Sequence, residues 1–457
     1  MVVTIVVLLI LAGVSISLVV DKNGIIQKSK DARREYGQAK ANEQEQMDNA
    51  NDWIEEATGK VTLAKVSVGT KASKNGTING EEGNSNNPTI PKNYIPIDTA
   101  TSTWGDGSSA PSQDSVNHGL VIKDEQNNEW VWIPVDKETL ATMYEESSDE
   151  KTLCGTTGET AVKTKLYSKS ITIGTDSNKT TMSRTTPGTS TSGSYREPDL
   201  VVGSKGTSYD AIDTYYKTIL GETGTKEQLA QLFVDEYKAM IESVSKYGGF
   251  YIGRYELSSE GVQKDKEPLT NTNWYNLYKK CKELNASDKV ETRMIWGCQW
   301  DVTMNWLISS GAKTSDEVNK DSSSWGNYWH TSVKADNGTT ILKANGKSQK
   351  LNTGKTTFTM ANNIYDLAGN VWEWTQGASD TDRRASRGGN YSSDGSSLPA
   401  SDRLNYITAC SDFVVLRFSS HFNNKVILDS RAWAPVWRII AILMRLFKIL
   451  SHVNKKI

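Results

Sequence analysis

Residues 361–375 read ANNIYDLAGNVWEWT, and residues 383–389 read RRASRGG. Trp372 and Trp374 flank Glu373, so in an extended segment both indoles face one side. Gly369 followed by Asn370 suits a tight turn, because both accept left-handed backbone angles that most side chains avoid. Asp366 and Glu373 supply carboxylates that, with nearby backbone carbonyls, match the oxygen ligands a hard cation such as calcium prefers. The alternative is that Asp366 caps a turn and Glu373 pairs with an arginine.

Working outward, residues 119–136 (GLVIKDEQNNEWVWIPVD) place two apolar runs around a polar centre, the signature of a β-hairpin. Residues 226–249 carry Leu229, Leu232, Phe233, Tyr237, Met240 and Ile241 at helical spacing and end in Gly-Gly, a helix stop. A strand is expected over 249–257. Two more amphipathic helices are expected over 273–284 and 297–311, the first with Trp274, Leu277, Tyr278 and Cys281 on one stripe. Cys281 and Cys298 read as small core residues. Glu260 and Asp301 have no recognisable catalytic partner and read as solvated or capping acids.

With WVWIPV (130–135), FYIGRYE (250–256) and CQWDVTMNWL (298–307), the opening blocks run in an order that resembles the formylglycine-generating enzyme and sulfatase-modifying-factor family. The resemblance covers about His118 to Arg417. It implies an α+β fold, a C-type-lectin-like variant with much irregular structure. It also implies a structural calcium held by Asp366, the carbonyls of Gly369 and Val371, and Glu373. Catalysis in that family needs two cysteines soon after the Arg-Gly-Gly, as copper ligand and nucleophile. The matching positions here are Ser393 and Leu398, and neither can act as a thiolate. The resemblance therefore carries the fold without the oxidase: no catalytic residue is assigned and no copper is expected.

Residues 390–424 contain no Lys, Glu, Gln, Met or Trp, types that make up about a fifth of the chain. Chance absence has a probability on the order of 10⁻⁴ at uniform composition. Every residue present can be reached from AAC or AAT codons with randomised adenines. The block thus resembles the variable region of proteins diversified by diversity-generating retroelements, which sits at the end of such a domain. It predicts a ligand-binding face built from Asn390, Tyr391, Ser393, Asp394, Ser396, Ser397, Leu398, Asp402, Leu404, Asn405 and Tyr406. Arg387, Gly388, Gly389, Pro399, Ala400, Arg403 and Arg417 read as its framework. An ordinary polar loop is the alternative.

Val2 to Val20 is an uncharged run long enough to cross a bilayer as a helix. With the charged stretch after it, this run resembles the N-terminal segment of type IV pilin-like proteins of Gram-positive bacteria. The processing site expected upstream of that pattern is missing, since the sequence begins at Met1 within it. The expected organisation is an anchor and long helical stalk at 1–60, a polar spacer at 61–117, and the lectin-like domain at 118–424. A polar insertion falls at about 145–224, and a basic, apolar tail at 425–457.

The 457 residues hold 52 basic and 54 acidic side chains, a net charge of −2, which excludes a strongly basic nucleic-acid binder. Four Cys and four His are scattered without a zinc or redox motif. Hydrophobic residues make up only 37%, yet there are 14 Trp, which points to an irregular fold pinned by large rings. Together these features predict a non-catalytic, surface-displayed binding protein, bacterial or phage-encoded, anchored in a membrane with its domain outside. Its partner would be a protein or glycan. The alternatives are an oxidase or other enzyme on the same fold, and a structural pilin-like component that assembles with its own kind.

Overall fold

The computed structural model describes residues 63–143, 216–284, 290–378 and 383–407. It also describes strands at 146–154, 162–167, 170–173, 180–183, 414–416 and 418–422, the pair 197–198, and residues 32, 33 and 39. The expected anchor, most of the stalk and the 425–457 tail lie outside the described residues. Among the described residues no helix is long and apolar enough to cross a membrane. The chain divides into two units, Met1–Thr62 and Leu63–Ile457. The second carries everything below.

Its larger sheet is antiparallel. We label its strands β1 (Ile95–Ile97), β2 (Val121–Lys123), β3 (Glu129–Pro134), β4 (Gly249–Gly253), β5 (Val290–Met294) and β10 (Phe418–Phe422). The order is β5-β10-β4-β3-β2-β1, so the last strand returns to lie between β4 and β5. A second sheet holds β6 (Trp372–Ala378), β7 (Arg383–Arg387), β8 (Arg403–Ile407) and β9 (Val414–Leu416), in the order β8-β7-β6-β9. The expected hairpin at 119–136 is β2 and β3, turned through Asn127 at a φ of 66°.

Both faces of β3 and β4 are covered, which explains their unbroken apolar sequences. Trp130, Trp132 and Tyr251 enter one core with Trp274, Tyr278, Trp372 and Trp374. Val131, Ile133, Phe250 and Ile252 enter the other, with Trp296, Trp300, Trp306 and Trp325. The tryptophan surplus is therefore the filling of two cores whose helices are few.

Three helices match their expected spans: α1 (Lys226–Tyr247), α2 (Trp274–Glu283) and α3 (Gly297–Ser309). Thr225 and Gln228 close a reciprocal capping box at the start of α1. Gly248 ends it in the left-handed region at a φ of 72°, where a Cβ would lie 2.4 Å from the Ser85 nitrogen. Asn273 caps α2, and Trp274, Leu277, Tyr278 and Cys281 are buried as the stripe predicts. Cys281 and Cys298 are both buried, as small core residues would be.

The expected spacer at 61–117 is corrected. From residue 63 this segment belongs to the folded unit, and Val66, Ile78, Ile90, Tyr94, Trp104 and Val116 are buried in its core. Strand β1 extends the large sheet, and the Trp104 indole donates to the Val121 carbonyl at 2.8 Å. Its apolar residues are few, but they point inward. Its polar residues satisfy one another locally: Asn84 Oδ1, for example, accepts from the Asn86 and Asn87 amides at 2.9 and 3.1 Å.

The 145–224 insertion is described only in part. Two antiparallel pairs form within it, Glu146–Cys154 with Val162–Tyr167 and Ser170–Ile173 with Thr180–Ser183. Glu197, buried, accepts from the Gly297 and Cys298 amides at 2.5 and 3.1 Å. A carboxylate thus satisfies the first amides of α3, where the helix dipole favours a negative charge.

Candidate ligand-binding face

Strands β7 and β8 pair antiparallel, with Arg387 directly opposite Arg403. The connection between them, 388–402, holds most of the sequence-predicted face. It starts at two left-handed glycines, Gly388 at a φ of 87° and Gly389 at 78°. A Cβ on Gly389 would lie 2.6 Å from the Leu398 carbonyl oxygen and 2.7 Å from the Tyr328 ring, so the close approach of the loop's two arms requires glycine. The Tyr328 hydroxyl donates to the Gly388 carbonyl at 2.8 Å, and burial pushes that phenol well above its ordinary range.

The loop is tied down along its length. Tyr391 N–H donates to the Asn370 carbonyl, and Trp329 N–H to the Ser393 carbonyl, both at 2.9 Å. Ser322 N–H donates to the Gly395 carbonyl at 3.1 Å, and Ala400 N–H to Ser322 Oγ at 2.9 Å. At its foot the Asp301 carboxylate from α3 receives Arg387 on one oxygen at 2.6 Å and Arg403 on the other. All three side chains are buried, and the Arg387 guanidinium lies 5.7 Å from the Trp300 ring centre. Asp301 is therefore a clamp for the loop and not a solvated or capping acid. Glu260 is exposed and pairs with Lys266 at 2.5 Å.

The predicted face divides. Tyr391, Ser393, Asp394 and Leu398 are half-buried and Ser396 and Ser397 exposed, and of these Tyr391 and Leu398 pack partly against the core. Asn390 and Asp402 are buried, which corrects their assignment to a display surface. Asn390 Oδ1 accepts from Ser392 N–H at 3.0 Å and Ser393 Oγ at 2.7 Å, an internal brace. Leu404 and Tyr406 pack against the core, and Tyr406 meets the Trp372 and Trp374 rings edge-on at 6.2 Å each. Both indoles of the opening motif do face one side, and Tyr406 is what they meet. Asn405 on β8 pairs with Ala385 of β7, and its side chain lies outside the described residues, as does Arg417.

Asp394 folds the tip. Its Oδ1 accepts from Ser396 N–H at 3.0 Å and Ser396 Oγ at 2.9 Å, and its carbonyl receives the Ser397 and Leu398 amides. The Ser396 amide, its hydroxyl and His330, 3.7 Å away, hold the Asp394 carboxyl below the usual range against the opposing effect of partial burial. Ser393 and Leu398, which stand where the resembled family has its two cysteines, are ordinary loop residues here.

The candidate cation ligands sit beneath this loop. The 361–375 stretch turns left-handed at Asn362, Asn363, Asp366, Gly369 and Asn370, which accounts for its run of Asn, Asp and Gly. Asp366 Oδ2 accepts from Thr353 Oγ1 and Gly354 N–H at 2.9 Å each. Gly369 N–H donates to the Gly388 carbonyl at 2.7 Å, and Val371 is buried. Glu373 is buried on β6, opposite Arg387. A Cβ on Gly388 would lie 2.8 Å from Glu373 Oε2, 3.0 Å from the Leu367 carbonyl oxygen and 3.6 Å from a Trp300 ring carbon, so this close approach requires glycine. Among the described residues no three His, Cys, Asp or Glu side chains gather as a metal cluster.

Sequence reasoning missed two residues of this surface. Trp329, 39% exposed, has its amide bonded to the Ser393 carbonyl and its ring 4.1 Å from His330. Lys343 is buried beneath it. The available signal was that WGNYWH (325–330) is an aromatic cluster outside the expected elements.

No protein-family model matches the chain, and no curated protein matches it. Solved structures similar to part of it include Treponema denticola variable protein 1, at 14% identity and a TM-score of 0.28 over 38% of this chain and 85% of that one. They include CarF, at 14% and 0.26 over 38% and 87%, and PvdO from Pseudomonas aeruginosa, at 12% and 0.21 over 38% and 81%. At such scores the likeness is weak and assigns no residue a role.

Proposed function

We propose that this protein is a non-catalytic binding protein that displays the 391–398 loop to a ligand. The observation that carries the reading is the division of labour within the loop. Its exposed side chains are short and polar, while its ends are stapled by Arg387 and Arg403 to the buried Asp301. A frame of this kind tolerates change at Ser393, Asp394, Ser396 and Ser397, whose side chains are not part of the core, whereas Tyr391 and Leu398 rest partly against it. Tyr, Ser, Asp and Gly on a pre-organised loop also reproduce the chemistry of a paratope, which suits a protein or a glycan surface.

The same reading takes the 390–424 block as a diversified region and the 2–20 run as a membrane anchor that puts the domain outside the cell. Assembly through the pilin-like segment would make it a fibre component, and its presence in purified fibres would favour that role. Ser393 and Leu398 argue against the formylglycine oxidase, since neither supplies a thiolate. Copper uptake with turnover of a cysteine-containing peptide would overturn the non-catalytic reading.

A stability scan tests the display directly. Simultaneous replacement of Ser393, Asp394, Ser396 and Ser397 by other polar residues, with Tyr391 and Leu398 left in place, is expected to leave folding nearly intact. Unfolding caused by that replacement, on a par with loss of Asp301, would mean that the loop is part of the frame.

A further inference from the structure

Ten of the eleven described tryptophans are buried, and Trp329 is the exception. Only Trp329 and Ile341 are large hydrophobic side chains exposed among the described residues, at 39% and 58%. Trp329 abuts the 391–398 loop through the Ser393 carbonyl, and Ile341 opens the strand Ile341–Lys343. Single exposed apolar residues need no explanation. Trp329 differs from a scattered one in its place: its amide donates to the Ser393 carbonyl and its neighbour His330 lies 3.7 Å from Asp394, so it borders the loop already read as a binding surface.

The backbone of Trp329 is held on both sides. Its amide donates to Ser393, and its carbonyl accepts from Gly346 N–H at 2.9 Å. Below it the Lys343 ammonium is buried and donates to the Tyr328 carbonyl, to the Lys347 carbonyl at 3.3 Å and to the Trp329 carbonyl at 3.4 Å. Three carbonyls from both arms of the 328–347 turn converge on one charge, as they would on a bound cation. Burial pushes the Lys343 ammonium below its ordinary range, in keeping with its enclosure.

We propose that Trp329 is the apolar anchor of the ligand-binding face and that Lys343 is the positioning residue that holds it there. This rests on the binding reading above and extends the face beyond the 390–424 block. Large aromatic anchors bordered by small polar groups dominate protein recognition. The partner is therefore a protein surface that offers an apolar group to the indole and a donor or cation to Asp394, whose carboxylate stays charged.

Amide hydrogen exchange on the full chain tests the positioning. Lys343→Met is expected to speed exchange at Trp329 and Gly346 by about tenfold while α1 is unchanged, and Lys343→Arg to retain protection. Unchanged exchange in Lys343→Met, equal loosening in both variants, or loosening that spreads to α1 would each overturn it. Peptides enriched from a random displayed library on the intact chain are the binding probe. Their affinity is expected to fall on the order of tenfold or more in Trp329→Ser. Affinity unchanged by that substitution, or enrichment of binders only from a glycan library, would overturn the anchor. The exchange measurement needs no ligand, so its failure is distinguishable from failure of the binding reading itself.

Discussion

Arg387 and Arg403 stand opposite each other across β7 and β8 and close on the two oxygens of a single carboxylate, that of Asp301. Two cations would repel at this separation, and burial raises the cost of each. One acid between them turns the repulsion into a staple, and the intervening loop is held by its ends whatever its tip contains. Asp301→Asn leaves two buried guanidinium groups short of countercharge. It is expected to destabilise the domain by about 3–5 kcal/mol, read from the midpoint of denaturant unfolding. A change under about 1 kcal/mol would mean that the cluster is solvated in solution.

Glu236 on α1 predicts acid sensitivity. Burial alone would raise its carboxyl, but the charges of Arg293 and Lys282 and the Tyr278 hydroxyl outweigh that and hold it below the usual range. The unfolded chain therefore binds this proton more readily than the folded one. The stabilisation is fully present above the unfolded value near ~4.3, and it is lost as pH falls through the lower folded value. Unfolding free energy is expected to drop as pH falls below about 4 in the wild type, with a shallower slope in Glu236→Gln. Equal slopes would remove Glu236 from the account.

Trp104 distinguishes a folded segment from a spacer. Its burial and its bond to Val121 predict that Trp104→Ala costs about 3–5 kcal/mol in denaturant unfolding. A surface linker would tolerate the change within about 0.5 kcal/mol.

We propose Glu373 as a ligand of the calcium that the family resemblance implies. Millimolar calcium should raise the melting temperature, with a gain near 2.7 kcal/mol where the ion stands at about a hundred times its dissociation constant. Glu373→Gln should abolish the rise. The same melting temperature in calcium and in chelator would assign Glu373 a purely structural place.

The helices and the first hairpin were legible because their signals are local. Gly248 marks an end, and the apolar stripes mark faces. The left-handed turns at Asn362, Asp366 and Asn370 were half legible, as a run rich in turn formers. The 63–117 segment was not, because low hydrophobic content says how many residues point inward but not where they go. Trp104 reaches Val121 only once β2 is in place. Asp301 was misread for the same reason: its two arginines lie at 387 and 403, and nothing near 301 announces them. Asn390 and Asp402 share a composition with their exposed neighbours, and only the fold separates the braces from the display.

The most direct measurement is the sequence of this gene in sibling isolates. The account predicts that substitutions pile up on the codons of Tyr391, Ser393, Asp394, Ser396, Ser397 and Leu398, while Asp301, Arg387 and Arg403 stay fixed. Substitutions spread evenly over residues 63–422, or changes at the three clamp residues as frequent as those in the loop, would contradict it.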